Sequence, residues 1–169
     1  QAIDVLVTHS ITEREQYARR CTELGLSLRV ALAHLPYVDG HPGRRTPTGH
    51  RVVFAAQPTV PAGKRERVDL LRALVAAAAP DTPIEKLRAA DGEVLTHHEP
   101  FPYDRLAREN GIADRVEFRC GALSDVLPDA RCLVTVSSTA ALEAVARGVP
   151  VLIADDWGVH DVLLNAVFR

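Results

Sequence analysis

Ser137, Ser138 and Thr139 set three hydroxyls side by side between two apolar runs, Leu133–Val136 and Val151–Ile153. Hydroxyls at a strand-to-helix turn suit phosphate recognition, because the first N–H groups of a helix lack intrahelical partners and carry the positive end of its dipole. The plainer role for Ser138 or Thr139 is to cap that helix. Glu143 follows Thr139 by one helical turn and shares its face, where a carboxylate can accept two sugar hydroxyls. Asp155 and Asp156 end the next apolar run and can meet sugar hydroxyls or a divalent cation, or cap a following helix. Lys86 and Arg88 fall on one side of a short strand by the period-two rule, and both can reach a phosphate. His97, in Thr96-His97-His98-Glu99, can act as a general acid or base or be a loop histidine with no chemical role. Trp157 can stack on a sugar or base, or simply pack half-buried. His9 and Ser10 have no third partner for a nucleophilic triad, and no Walker, G-x-S-x-G or G-x-G-x-x-G pattern is present.

Strand and helix signals alternate along the chain. Strands are expected at 4–8, 28–33, 52–56, 84–88, 116–119, 132–136 and 151–154. Helices are expected at 13–24, 64–79, 103–110, 139–147 and 161–168, with a helical turn at 123–127. In the second of these, positions 68, 71, 74, 75 and 78 form one apolar stripe. Gly148-Val149-Pro150 stops the helix after the hydroxyl turn with a residue able to take positive φ and a proline that cannot continue it. The segment 34–50 is crowded with Pro, Gly and polar residues. Residues 1–40 therefore read as the end of a preceding domain or a strand-helix extension, 41–50 as a linker, and 51–169 as the main domain. The fold class expected is α/β, a doubly wound parallel sheet with ligands outside the carboxyl ends of its strands. Val134 and Val151 are expected to be buried in adjacent strands.

The chain has 169 residues with 20 Lys and Arg against 22 Asp and Glu, a net charge of −2. That balance argues against nucleic acid and anionic membranes as partners. No apolar run is long enough to span a bilayer and no signal peptide is evident, so a cytoplasmic location is expected. Cys21, Cys120 and Cys132 lack metal-site or disulfide spacing and read as buried thiols. The chain lacks Met and begins with Gln, which suggests a piece of a longer polypeptide.

Ser137-Ser-Thr-Ala-Ala-Leu-Glu-Ala-(x)3-Gly-Val-Pro-Val151 resembles the donor-binding motif in the C-terminal half of GT-B glycosyltransferases and of the related UDP-N-acetylglucosamine 2-epimerases. The resemblance implies a Rossmann-like fold and a nucleotide-sugar-binding domain over 51–169. It implies donor phosphate on Ser137, Ser138 and Thr139 and the nucleotide ribose on Glu143. GT-B relatives with a Lys-Pro-His-Pro segment use its basic residues on the donor; this chain has Lys86-Leu-Arg88 instead, then a loop before His97. Asn165-Ala166 matches a pair in the last helix of some relatives. The function expected is glycosyl transfer from a nucleotide sugar to an unknown acceptor, with His97 catalytic and no cofactor or metal required. An epimerase and a non-catalytic nucleotide- or phosphate-binding domain are the alternatives. GT-B enzymes work between two Rossmann-like domains, so this chain alone is expected to lack acceptor-binding residues.

Overall fold

The computed structural model describes residues 3–35, 48–87 and 99–159. It divides into two compact units, Gln1–Pro42 and Gly43–Arg169. The first is one βαβ turn, in which β1 (Val5–Thr8) and β2 (Arg29–Leu32) pair in parallel around α1 (Ile11–Glu23). Ser10 starts α1 with a capping box: its Oγ accepts from the Glu13 N–H at 3.1 Å, and the Glu13 carboxylate accepts from the Ser10 N–H at 3.1 Å. Ser10 is thus occupied in capping, and His9 Nδ1 lies 3.0 Å from the Ala33 carbonyl.

In the second unit, β3 (Arg51–Ala55), β4 (Ile84–Lys86), β5 (Glu117–Arg119), β6 (Ala130–Thr135) and β7 (Val151–Ile153) form one parallel sheet in the order β5-β4-β3-β6-β7. Counted from β3, that order is 3-2-1-4-5, the order of a Rossmann-like sheet. Alternate residues of β3 face opposite sides. Val52 and Phe54 join a core built with α2 (Lys64–Ala78) and α3 (Tyr103–Glu109). Val53 and Ala55 join a second core with Ile84, Leu133, Val126, Leu127 and Ala144, the last from α4 (Ala140–Ala146). Helices therefore cover both faces, as a parallel sheet requires. Each expected element within the described residues forms, with ends shifted by one or two residues. The whole stripe at 68, 71, 74, 75 and 78 is buried. The last expected helix, with Asn165 and Ala166, lies outside the described residues.

Two details differ from expectation. Val134 and Val151 do lie in adjacent strands, but each is only half-buried, because they border the two cores rather than fill them. Of the three thiols only Cys21 is buried; Cys132 is half-buried, and Cys120, just past the edge strand β5, is exposed. Among the described residues no helix is long and apolar enough to cross a membrane.

At the entry to β3 the backbone of Gly49 runs against the peptide joining Asp129 to Ala130, and a Cβ on Gly49 would collide with that peptide. The β3–β6 register shifts by one residue immediately afterwards, between Arg51 and Val52. A Gly49→Ala substitution should force the two strand entries apart and cost roughly 1–3 kcal/mol, the range for overpacking. Chemical denaturation of parent and variant measures that difference.

Candidate functional site

The direction of the crossovers reverses at one place in the sheet. From β3 the chain leads through α2 to β4 on one side; from β6 it leads through α4 to β7 on the other. Neighbouring strands whose continuations diverge leave a crevice outside their carboxyl ends, and ligands of such sheets gather there. Gln57 follows β3 at this crevice and Ser137 follows β6. The Gln57 side-chain amide donates to the Ser137 carbonyl across it. Just below, Thr135 is fully buried and its hydroxyl donates to the Ala55 carbonyl at 2.9 Å.

The Ser137-Ser138-Thr139 turn thus sits at the switch point of the sheet. Its hydrogen bonding differs from a helix start with bare N–H groups. The Ala140 N–H bonds the Ser138 Oγ at 3.2 Å. Ala141 and Leu142 donate to the Ser138 and Thr139 carbonyls, each at 3.0 Å. α4 is seven residues long and tightens at its start, so these three donors are already taken. Thr139 is exposed and its side chain makes no capping bond. An anion here would meet hydroxyls and the N–H groups of the turn itself.

Glu143 stays close to the turn, with 14% of its side chain exposed, and its Oε1 lies 3.2 Å from Arg147 Nε in an i,i+4 ion pair. Asp155 and Asp156 follow β7 and are exposed, in a turn closed by the Gly158 N–H on the Asp155 carbonyl at 2.7 Å. Trp157 packs half-buried against the core on the α2 side. Lys86 ends β4, and its Nζ donates to the Leu87 carbonyl. Arg88, His97 and His98 lie outside the described residues. Among the described residues no group of three or more His, Cys, Asp or Glu side chains could hold a metal ion.

Beside the crevice lies a buried polar centre that local sequence pattern does not single out. Arg67, in the first turn of α2, is 0% exposed. Its Nε donates to the Pro61 carbonyl at 2.8 Å, and Nη1 donates to Glu99 Oε1 at 2.6 Å and to the Phe101 carbonyl at 2.9 Å. Nη2 donates to the Gln57 carbonyl at 3.3 Å and to that of Pro58. Five N–H groups therefore meet five acceptors. The guanidinium carbon also stands 4.9 Å from the centre of the Tyr103 ring, which meets Phe54 edge-on at 5.5 Å. A signal for this residue exists in the sequence, since position 67 lies four and seven residues before Leu71 and Leu74 on the apolar face.

Glu85 enters the same centre from β4, opposite Phe54 in the ladder. It is fully buried, and among the described residues neither carboxylate oxygen has a hydrogen-bond partner; the Tyr103 hydroxyl is likewise buried and has none among them. Burial first, then the nearby Glu99 and Asp104 charges, push the Glu85 carboxyl well above its ordinary range against the pull of Arg67. Burial also raises the Tyr103 hydroxyl. With Arg67 already paired to Glu99, its pull on the Glu85 carboxyl does not outweigh burial.

Arg67→Met should leave Glu99 and four carbonyls without their donor and cost roughly 3–5 kcal/mol in urea denaturation, the range for breaking a buried pair. Arg67→Lys, with three donors in place of five, should fall between variant and parent. For Glu85 the sign follows from proton counts. Above the ordinary value of 4.5 the unfolded chain releases this proton while the folded protein keeps it. The group's contribution is therefore fully present below that value and is lost as pH rises, by about 1.4 kcal/mol per pH unit until Glu85 ionises in the fold. Glu85→Gln removes this dependence. Stability measured from pH 5 to 8 should fall more steeply for the parent than for the variant.

No curated protein and no solved structure matches the chain. The chain does match a family over its whole length, residues 1–169, and that family's description is one of glycosyl transfer. The chain therefore belongs to the family described as "Putative glycosyltransferase (DUF6716)".

Proposed function

We propose that residues 51–169 are the donor-binding domain of a GT-B type glycosyltransferase and hold an activated nucleotide sugar at the crevice between β3 and β6. Residues 1–40 are then the end of a preceding domain or a strand-helix extension, and 41–50 the linker. One observation supports this above the others: in a chain of a glycosyltransferase family, the Ser137-Ser138-Thr139 turn follows the strand on the far side of the switch point. In this reading the three residues hold the donor phosphates. Glu143 takes the ribose hydroxyls, its Oε1 turned toward Arg147. Asp155 and Asp156 contact the sugar, and Lys86 and Arg88 add positive charge beside the phosphates.

In the reaction, an acceptor hydroxyl oxygen bonds to the anomeric carbon as the bond from that carbon to phosphate oxygen breaks. The nucleotide leaves with the electron pair, and the hydroxyl proton passes to a base, a role we give to His97. Charge develops on the leaving phosphate, so donors fixed around it lower the barrier more than they strengthen substrate binding.

Ser138→Asp tests the site. Aspartate caps helices as well as serine, so the bond to the Ala140 N–H and the Tm should be kept. The added charge would stand about 4 Å from a bound phosphate, where like charges repel by about 4 kcal/mol at an effective dielectric constant near 20. Calorimetric titration with CMP, UDP, GDP and TDP should therefore show binding to the parent and none to the variant. Equal affinity for both would make the turn only a cap.

A further inference from the structure

Among the described residues two charged side chains are fully buried, Arg67 and Glu85, and their signs are opposite. Both enter the core under α2 and α3. Arg67 stands against the Tyr103 ring, and Glu85 lies between Phe54 of β3 and Phe118 of β5 in the ladder, two rings that pack in that core. Yet the two do not pair. Arg67 gives Nη1 to Glu99 Oε1 and to the Phe101 carbonyl, and neither Glu85 oxygen has a hydrogen bond among the described residues. The charged and titratable groups acting on Glu85 are Arg67 from α2, Tyr103 and Asp104 from α3, and Glu99 from the segment before α3. On the sheet itself its ladder neighbours are uncharged. Glu117 and Arg119, on either side of Phe118, turn to the opposite face and bond each other, Arg51 and Asp129.

One guanidinium and two carboxylates of unequal exposure set up a competition. An ionised Glu85 is a charge cut off from water, and such a charge needs a cation. The Glu99 side chain is 12% exposed, so its charge can turn to solvent when it loses its partner. Glu99 is therefore the carboxylate that gives up the guanidinium at the lower cost. We propose that Glu85 and Glu99 are alternative partners of Arg67: when the Glu85 carboxyl gives its proton to solvent, Glu85 takes Nη1, and Glu99 and the Phe101 carbonyl are released. Nε and Nη2 stay on the carbonyls of Pro61, Gln57 and Pro58. No bond is broken covalently except the O–H of Glu85. Burial keeps the Tyr103 hydroxyl protonated, so it serves the ionised carboxylate as a second donor. The centre is then a pH-sensitive latch. With Glu85 neutral, the segment before α3 is tied to the first turn of α2; with Glu85 ionised that tie opens, and the segment after β3 is held in both states. This latch goes beyond the donor-site reading and does not depend on it.

The test is an NMR titration of the full chain from pH 4 to 9 that follows the side-chain carboxyl carbons of Glu85 and Glu99 together with the backbone amides, in the parent, Glu85→Gln and Glu99→Gln. In the parent the Glu85 carboxyl should titrate above its ordinary value of 4.5. The Glu99 and Phe101 amides should shift with that same midpoint, while the amides of Gln57 and of β3 and β6 hold still. Glu85→Gln should abolish the shared step. Glu99→Gln removes the competing charge, so the Glu85 midpoint should fall by roughly 1–3 pH units, the range for a carboxylate gaining an adjacent guanidinium. A Glu85 that titrates while Glu99 and Phe101 stay still would overturn the proposal, as would one that keeps its proton to pH 9 or whose midpoint is unmoved in Glu99→Gln. A step shared by the amides throughout β3 and β6 would also overturn it, because ionisation would then open the core as a whole. The parent and Glu99→Gln decide the matter by themselves if Glu85→Gln fails to fold.

Discussion

A guanidinium removed from water must find an acceptor for each of its donors, and the second unit is arranged around one that does. Arg67 reaches Gln57, Pro58 and Pro61 on the segment after β3, and Glu99 and Phe101 on the segment before α3. Those segments are irregular and carry prolines, so their carbonyls have no ladder or helix to satisfy them. The guanidinium supplies the missing donors and ties both segments to the first turn of α2. Desolvating the charge is costly, and full hydrogen bonding together with the Glu99 pair offsets that cost. The same arrangement commits every Arg67 donor to other acceptors, and burial, with the Glu99 and Asp104 charges, pushes the Glu85 carboxyl on β4 upward against the pull of Arg67.

The sheet supplies the other half of the design. The crossovers diverge from β3 and β6, so the carboxyl ends of these two neighbouring strands form the switch point of the sheet. The segments after those strands line the opening: Gln57 on one side, the Ser137-Ser138-Thr139 turn on the other. The Arg67 centre lies under the Gln57 side, so the crevice has one wall braced by the core and one wall that is a short turn.

The parts of this arrangement that depend on local pattern were legible in the sequence. The apolar spacing from Val68 to Ala78, the strand expected at 132–136 and the Gly148-Pro150 stop each follow from residues a few positions apart, and each element formed within two residues of its expected place. Arg67, Glu85 and Gln57 were not legible in that way. Their roles come from partners on other elements: Glu99 lies 32 residues from Arg67, and Ser137 lies 80 from Gln57. A charged residue on an apolar stripe reads as a solvated edge until the fold shows what it meets. The cap on the turn was legible as a choice between Ser138 and Thr139, and the structure gives it to Ser138, whose Oγ takes the Ala140 N–H.

The function proposed for this chain stands or falls on whether a nucleotide's phosphates bind at the turn after β6. An amide-detected NMR titration of the parent chain with CMP, UDP, GDP and TDP in turn answers that question residue by residue. Phosphate binding at the turn predicts saturable shifts that are largest at the Ser138 and Thr139 amides, with smaller ones at Glu143 and Gln57. Saturable shifts confined to the Gln1–Pro42 unit, or none with any of the four nucleotides, would contradict it.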